Sequence, residues 1–360
     1  MHERYHSLVR GEARGLGAML LRGGLWAASV PYGMTVRLRN CLYDWGLLAS
    51  HRARVPVISV GNLTLGGTGK TPCVEWIARY FRQHDVRVAI LSRGYGGREG
   101  RNDEALVLEE NLADVPHLQD PDRVALAETA VTELESEVLV LDDGFQHRRL
   151  HRDLDIVLID ATNPWGHGRL FPAGLLREPV SSLARAHMAL LTRCDLVDRE
   201  ELRKLTDRVQ RLAPAAAVAA TRHRPACFVN SDGATRNLEE LAGRSAAAFC
   251  GLGNPDAFER TLANLNINVV AFRTFADHHE YTRTDVEDLR AWGQGQPEGL
   301  PLLTTQKDLV KLRVSRLGAR ELWALRIELE VETGQEALQE KLLTACGLRE
   351  GETPAEPSRR

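Results

Sequence analysis

Within the stretch Gly66-Gly67-Thr68-Gly69-Lys70-Thr71, four glycine and threonine positions run straight into a lysine and a hydroxyl. Such a turn lets backbone N–H groups converge on phosphate oxygens, with the lysine reaching the outer phosphates and the hydroxyl ligating Mg²⁺. The apolar run Val55 to Val60 before it reads as a buried strand, and the apolar-periodic stretch after it as a helix, the context such a turn requires. The usual spacing asks for a glycine five residues before Gly69, and Thr64 stands there. Asn62, Thr64, Gly66, Gly67, Thr68, Gly69, Lys70 and Thr71 are the candidate nucleotide contacts.

A second piece fits the first. Val138 to Leu141 is apolar and ends in Asp142-Asp143, a strand tipped with carboxylates that suits Mg²⁺ beside a triphosphate. Asp142, Asp143 and Thr71 are therefore the candidate metal ligands. His147, just past Gly144, could orient an acceptor or stabilise charge on a moving phosphoryl group. Arg93 and Arg123 could neutralise phosphate charge. Asp103 and the run Asp277-His278-His279-Glu280 could supply a base, a metal site or only polar turns. Residues 171 to 179 read by composition only as a turn with an Arg177–Glu178 ion pair. Thr192-Arg193-Cys194-Asp195 matches a guanine-reading Asn-Lys-x-Asp loop poorly and is set aside.

The elements that must position these groups alternate. Apolar runs at 86–91, 138–141, 155–160 and 188–192 read as strands, separated by helical patterns at 74–81 and 121–134; Glu104 to Leu108 reads as a further strand. That alternation predicts a P-loop-like, mostly parallel sheet flanked by helices, with ligands at the carboxyl ends of its strands. The pattern loosens over 221–245, and a smaller α/β lobe is expected beyond it. The expected segments are an N-terminal helical stretch 1–54, a core 55–225, the lobe 226–349 and a charged tail 350–360.

At 360 residues, net charge −3 and ordinary apolar content, the chain has no overall attraction to nucleic acid. Six scattered cysteines without a Cys-x-x-Cys pair suit a reducing compartment and argue against a zinc site. Residues 1–54 differ: eight arginines stand against three acids, interleaved with Leu16, Met19, Leu20, Leu21, Trp26, Trp45 and other apolar side chains. Arg22 and Pro31 interrupt the apolar run short of a membrane span. A basic, Trp-bearing amphipathic segment suits a helix lying on an anionic bilayer; the same pattern suits a hairpin packed on the protein's own core.

Taken together these motifs resemble the tetraacyldisaccharide 4′-kinase family of Gram-negative bacteria. The resemblance is carried by residues 61–72, Ser92-Arg93-Gly94-Tyr95-Gly96, Asp103-Glu104, residues 142–147, Leu170 to Gly174 with Arg177-Glu178-Pro179, Phe275-Ala276-Asp277-His278, and Thr304-Thr305-Gln306-Lys307-Asp308. The family shares the missing glycine at Thr64. Asn102 stands where the family has glycine, and Ala276 where proline is common. The resemblance implies transfer of the ATP γ-phosphate to the 4′-hydroxyl of a lipid-linked glucosamine disaccharide 1-phosphate, with Mg²⁺. It implies Asp103 as base assisted by His278, with Thr71, Asp142 and Asp143 in the nucleotide and metal site; the reading of the residues adds Lys70 and His147 to the chemistry. Arg93, Arg123, His147, Arg177 and Glu178 are the candidate substrate contacts, and the resemblance further implies a peripheral or monotopic protein on the cytoplasmic face of the inner membrane. The rival from another class is a membrane-associated switch ATPase of the partition type, which carries a second lysine where this chain has Leu65. A GTPase switch would need a base-reading loop, and a non-catalytic scaffold would not need Lys70, Thr71, Asp142 and Asp143 intact.

Overall fold

The computed structural model describes residues 2–94 and 103–347. Tyr95, Gly96, Gly97, Asn102 and the tail 350–360 lie outside the described residues. Two helices open the chain, α1 (His2–Arg10) and α2 (Leu16–Asp44). Strand β1 (Val57–Asn62) leads through the glycine-rich turn into α3 (Lys70–Gln83). Then come β2 (Val88–Ser92), α4 (Asp103–Asn111), β3 (His117–Gln119), α5 (Arg123–Thr132), β4 (Val138–Asp142), β5 (Leu154–Asp160), β6 (Met188–Thr192) and α6 (Arg199–Leu212). The remainder is β7 (Ala217–Val229), β8 (Thr235–Arg236), β9 (Ser245–Cys250), α7 (Pro255–Asn264), β10 (Asn268–Thr274), α8 (Arg283–Gln294), β11 (Leu302–Thr305), α9 (Gln306–Leu312), β12 (Arg316–Leu317), β13 (Arg320–Thr333) and α10 (Gln335–Ala345).

The described chain forms two compact units. The first holds residues 2–93, 114–222 and 329–347; the second holds residue 94, 103–113 and 223–328. This differs from the expected division. The closing helix α10 belongs to the first unit, and α4 belongs to the second. The division between the units falls after Arg222, at the start of the loosened stretch 221–245, and β7 ends within that stretch at Val229. Arg222 pairs with Glu330 and Arg224 with Glu328, so these polar residues of the loosened stretch have their partners on β13.

In the first unit the strand order is β7-β6-β5-β1-β4-β2-β3, every neighbouring pair parallel. Strands buried on both faces read as continuous apolar runs, which is why they were visible in the sequence. Val57, Ala89, Leu91, Leu139 and Leu141 pack against Ala127 and Ala130 of α5. Side chains alternate along a strand, so Ile58, Val60, Ile90 and Val140 serve the other face. There α3 packs through Cys73, Val74, Ile77, Ala78 and Phe81, an i, i+1, i+4, i+5, i+8 stripe. The register Val60↔Asp142 sets the acid at the end of β4 beside the strand that enters the glycine-rich turn.

The second unit repeats the two-sided plan on β10-β9-β11-β13-β7. Ala246, Ala248, Leu303 and Trp323 face Phe258 and Leu262 of α7. Ala247, Phe249, Leu302 and Leu322 face Leu289 of α8 and Leu309 of α9. The expected strand at 104–108 is instead the helix α4, which packs on α9. Ala105, Leu108 and Leu112 recur at helical spacing and are buried. Asp103 and Glu104 in its first turn complement the positive end of the helix dipole.

Helix α2 passes through Pro31 without a break. One face is anchored. Gly33 lies where a Cβ would meet Leu170 at 2.7 Å, and Val36 and Asn40 are buried. Tyr32 donates to the Arg177 carbonyl at 2.9 Å. The other face exposes Leu16, Met19, Leu20, Leu21, Trp26, Val30, Met34 and Leu38. Among the described residues no helix is long and apolar enough to cross a membrane.

Candidate active site

The glycine-rich turn begins where β1 ends. Gly69 caps α3 with a φ of 89° and Gly66 has a φ of 111°, backbone that favours glycine. Gly61 serves packing: a Cβ there would stand 2.6 Å from Cβ of Phe145. Asn62 is fully buried, and its amide donates to the Thr64 carbonyl at 2.8 Å and to Thr68 Oγ1 at 3.0 Å. Asn62 and the Thr68 hydroxyl thus hold the turn's own shape. Thr64 replaces the expected glycine without strain, bridging to Leu176, while the Leu65 N–H reaches the Leu175 carbonyl.

Around the turn's lysine stands a cluster of opposite charges. Lys70 Nζ lies 3.5 Å from Asp143 Oδ1. Arg177 Nη1 donates to both Asp143 oxygens at 2.8 Å, and Arg123 Nη1 reaches the Asp143 carbonyl at 3.4 Å. Burial alone would raise the Asp143 carboxyl, but Lys70 and Arg177 outweigh it and hold it below the usual carboxylate range. Asp143 sits at a φ of 51°, a left-handed turn that aims it off the end of β4. Asp142 and Thr71 are each nearly buried, one at the tip of β4 and the other in the first turn of α3.

His147 is half-buried, and burial followed by Arg123, Arg152 and Arg149 pushes its pKa down to about 4. It is therefore a neutral imidazole at pH 7. Arg93 lies exposed just past the end of β2. Glu178, expected at the substrate, is a correction. Its side chain is fully buried and engaged by Arg39 at 3.1 Å, Asn40 at 2.8 Å and Arg185 at 2.9 Å. It ties α2 to the core. Arg177, its neighbour, faces the lysine cluster.

In the second unit, His278 Nδ1 lies 3.0 Å from Asp103 Oδ2 and 3.2 Å from Oδ1. Lys311 Nζ is 3.5 Å from the same Oδ2, and Lys307 pairs with Glu104 at 2.8 Å. Burial raises the Asp103 carboxyl, but the His278 hydrogen bond and the Lys307 and Lys311 charges overcome it. The result lies well below the usual carboxylate range. The bond to Asp103 in turn raises the His278 imidazole above its ordinary value. Asp308 explains the local architecture. Fully buried, it accepts from the Gly251 N–H at 3.1 Å, the Tyr281 hydroxyl at 3.0 Å and the Thr305 hydroxyl at 2.7 Å. It thereby pins α9, which carries both lysines. Lys311 went unnoticed in the sequence, although it stands one helical turn after Lys307.

Sequence reasoning also set aside Arg193, which donates to the Gly67 carbonyl at 2.8 Å. Residues 171–179, a turn by composition and singled out only by the family resemblance, form the wall beside Leu63 to Leu65. The role of Arg193 leaves no periodic or motif signal. Among the described residues no group of three or more His, Cys, Asp or Glu could hold a metal by itself.

A parallel strand, a glycine-rich turn capped by α3 and a carboxylate-tipped neighbouring strand define a P-loop nucleotide-binding protein. The sequence model of the "Tetraacyldisaccharide-1-P 4'-kinase" family matches residues 21–347, and the chain belongs to that family. It is 41% identical to the tetraacyldisaccharide 4'-kinase of Anaeromyxobacter sp. (strain Fw109-5), over 94% of this chain and 93% of that one. It is 36% identical to the Geobacter sulfurreducens protein of that name, over 86% and 89%. The crystal structure of LpxK from Aquifex aeolicus in complex with ATP superposes with a TM-score of 0.73 at 33% identity, covering 91% of this chain and 99% of that one.

Proposed function

We propose that this chain transfers the γ-phosphate of ATP to the 4′-hydroxyl of a tetraacyldisaccharide 1-phosphate, a step of lipid A biosynthesis. The observation that carries the reading is that a member of this kinase family keeps both halves of the chemistry. One half is a lysine and an arginine held on Asp143 at the phosphate turn; the other is a carboxylate held by a histidine.

Phosphoryl transfer is achieved mostly by positioning and charge neutralisation. Lys70 and Arg177 are pre-gathered by Asp143, and the phosphates would take over these cations already close to where they are needed. Arg123 and Arg93 add positive charge. Asp103 accepts the 4′-hydroxyl proton as the oxygen attacks the γ-phosphorus and ADP leaves with the electrons of the broken P–O bond. A strongly ionised carboxylate is a weak base, and it suffices here because the hydroxyl proton becomes acidic only as the new bond forms. His278 orients Asp103, and neutral His147 orients the acceptor or the phosphoryl group.

The Thr71 hydroxyl and the nearly buried Asp142 carboxylate suit Mg²⁺, a hard cation that takes oxygen ligands and completes its shell from phosphate and water. Asp143 contributes as a second acid. Bound with ATP, Mg²⁺ would neutralise phosphate charge. The exposed apolar face of α2, in a segment with a formal +5 charge over residues 1–54, supports peripheral binding to the cytoplasmic face of the inner membrane.

The test is γ-³²P transfer from ATP to detergent-solubilised tetraacyldisaccharide 1-phosphate, wild type beside Lys70→Ala. Labelled lipid from wild type alone is expected. ATP hydrolysis dependent on Lys70, without labelled lipid, would overturn the acceptor and leave a nucleotide switch.

A further inference from the structure

Two residues at the carboxyl end of β6 hold consecutive carbonyls of the phosphate turn. Arg193 Nη2 donates to the Gly67 carbonyl at 2.8 Å, and Thr192 Oγ1 donates to the Thr68 carbonyl at 3.0 Å. Thr192 is fully buried. Arg193 is itself fixed, by a left-handed φ of 56° and an ion pair with Asp160. The Asp160 carboxylate is braced in turn by the Thr162 N–H at 3.0 Å and the Thr162 hydroxyl at 2.6 Å.

A trans peptide points the carbonyl of one residue and the N–H of the next in opposite directions. Holding the carbonyls of Gly67 and Thr68 toward β6 therefore turns the N–H groups of Thr68 and Gly69 the other way. Among the described residues neither of these N–H groups donates to another protein group. Backbone N–H groups at this place in a strand–turn–helix are the donors that cradle phosphate.

We propose that Thr192 and Arg193 are positioning residues of the phosphate turn, which hold the Thr68 and Gly69 N–H groups in the ATP-binding orientation before ATP arrives. The inference rests on ATP being the phosphoryl donor.

The test combines calorimetric ATP binding with transfer kinetics on the full chain, using wild type, Thr192→Val, Thr192→Ser and Arg193→Met. Losing one buried neutral hydrogen bond should raise the Kd for ATP about fivefold in Thr192→Val, and at least as much in Arg193→Met. At saturating ATP, kcat and the KM for the lipid acceptor should stay within about twofold of wild type, and Thr192→Ser should restore ATP affinity. Unchanged ATP affinity in the folded variants overturns the proposal. So does a loss in Thr192→Val that serine does not restore, which would mark a packing effect. If Thr192→Val fails to fold, the half-buried Arg193→Met decides by the same criterion. Failure of the wild type to bind ATP would instead overturn the reading of the donor.

Discussion

Arg177 turns a single guanidinium nitrogen onto both oxygens of Asp143, 2.8 Å from each. On the proposed mechanism the acid occupies a cation that the phosphates would need, and would release it when they arrive. Arg177→Met should lower kcat/KM for transfer by about 10²-fold, the usual loss when one donor to developing charge is removed. Activity within about threefold of wild type would take Arg177 out of the site.

Asp103→Ala should lower kcat by about 10²–10⁴-fold, the range for a lost general base, and leave the KM for ATP near its wild-type value. Steady-state kinetics with ATP varied at saturating acceptor read this split directly. A near-normal kcat would assign the proton to another group.

The Asp103–His278 pair has a pH signature. Asp103 is depressed, so its contribution to stability is complete above the unfolded carboxylate value near pH 4 and is lost as pH falls through the folded one. His278 is raised, so its contribution is complete below about pH 6.5 and is lost as pH rises through its folded value. The transfer rate should accordingly show no acid limb from Asp103 between about pH 5 and pH 8. In Asp103→Asn the His278 ring signals, followed by NMR, should titrate at lower pH than in wild type. An unmoved midpoint would mean the pair is not coupled in solution.

Glu178→Ala should destabilise the protein by about 3–5 kcal/mol, because it strands Arg185 and Asn40 beside an emptied buried site. Denaturant unfolding measures this. The enzyme that remains folded should bind ATP normally; a selective loss of acceptor binding would restore Glu178 to the substrate site.

Replacing Leu20, Trp26 and Met34 together by serine should weaken binding to anionic phospholipid vesicles by at least about 10²-fold, at roughly 1–2 kcal/mol for each apolar side chain withdrawn from the interface. All three are exposed in the protein, so its melting temperature should not fall. Co-sedimentation that is unchanged would place the membrane contact elsewhere.

The parallel core was legible because strands buried on both faces announce themselves as apolar runs, and the phosphate turn because its glycines and lysine are contiguous. Asp103 and His278 are 175 positions apart and share a site only through the folded second unit; residue types could not pair them, and the family resemblance did. The helix at 103–111 was misread because Ala-Leu-Val-Leu is as apolar as a strand, and the acidic first turn that marks it as helical looked like a polar loop. Glu178 was misread for the opposite reason: adjacency to Arg177 in sequence says nothing about which neighbour faces the phosphates and which faces inward.

Gly61 shows where the chain has no room to drift. A single added carbon there would press on backbone and side-chain atoms of Phe145 at 2.6–2.7 Å, in the segment that follows Asp142 and Asp143. Gly67, inside the phosphate turn, has nothing among the described residues within 4 Å of the same added carbon, its own chain neighbours aside. A library of alanine replacements scored for folding alone would therefore reject the strand glycine and accept the loop glycine. Scored for ATP use, it should reject both, because a methyl added at Gly67 would stand in the proposed nucleotide site.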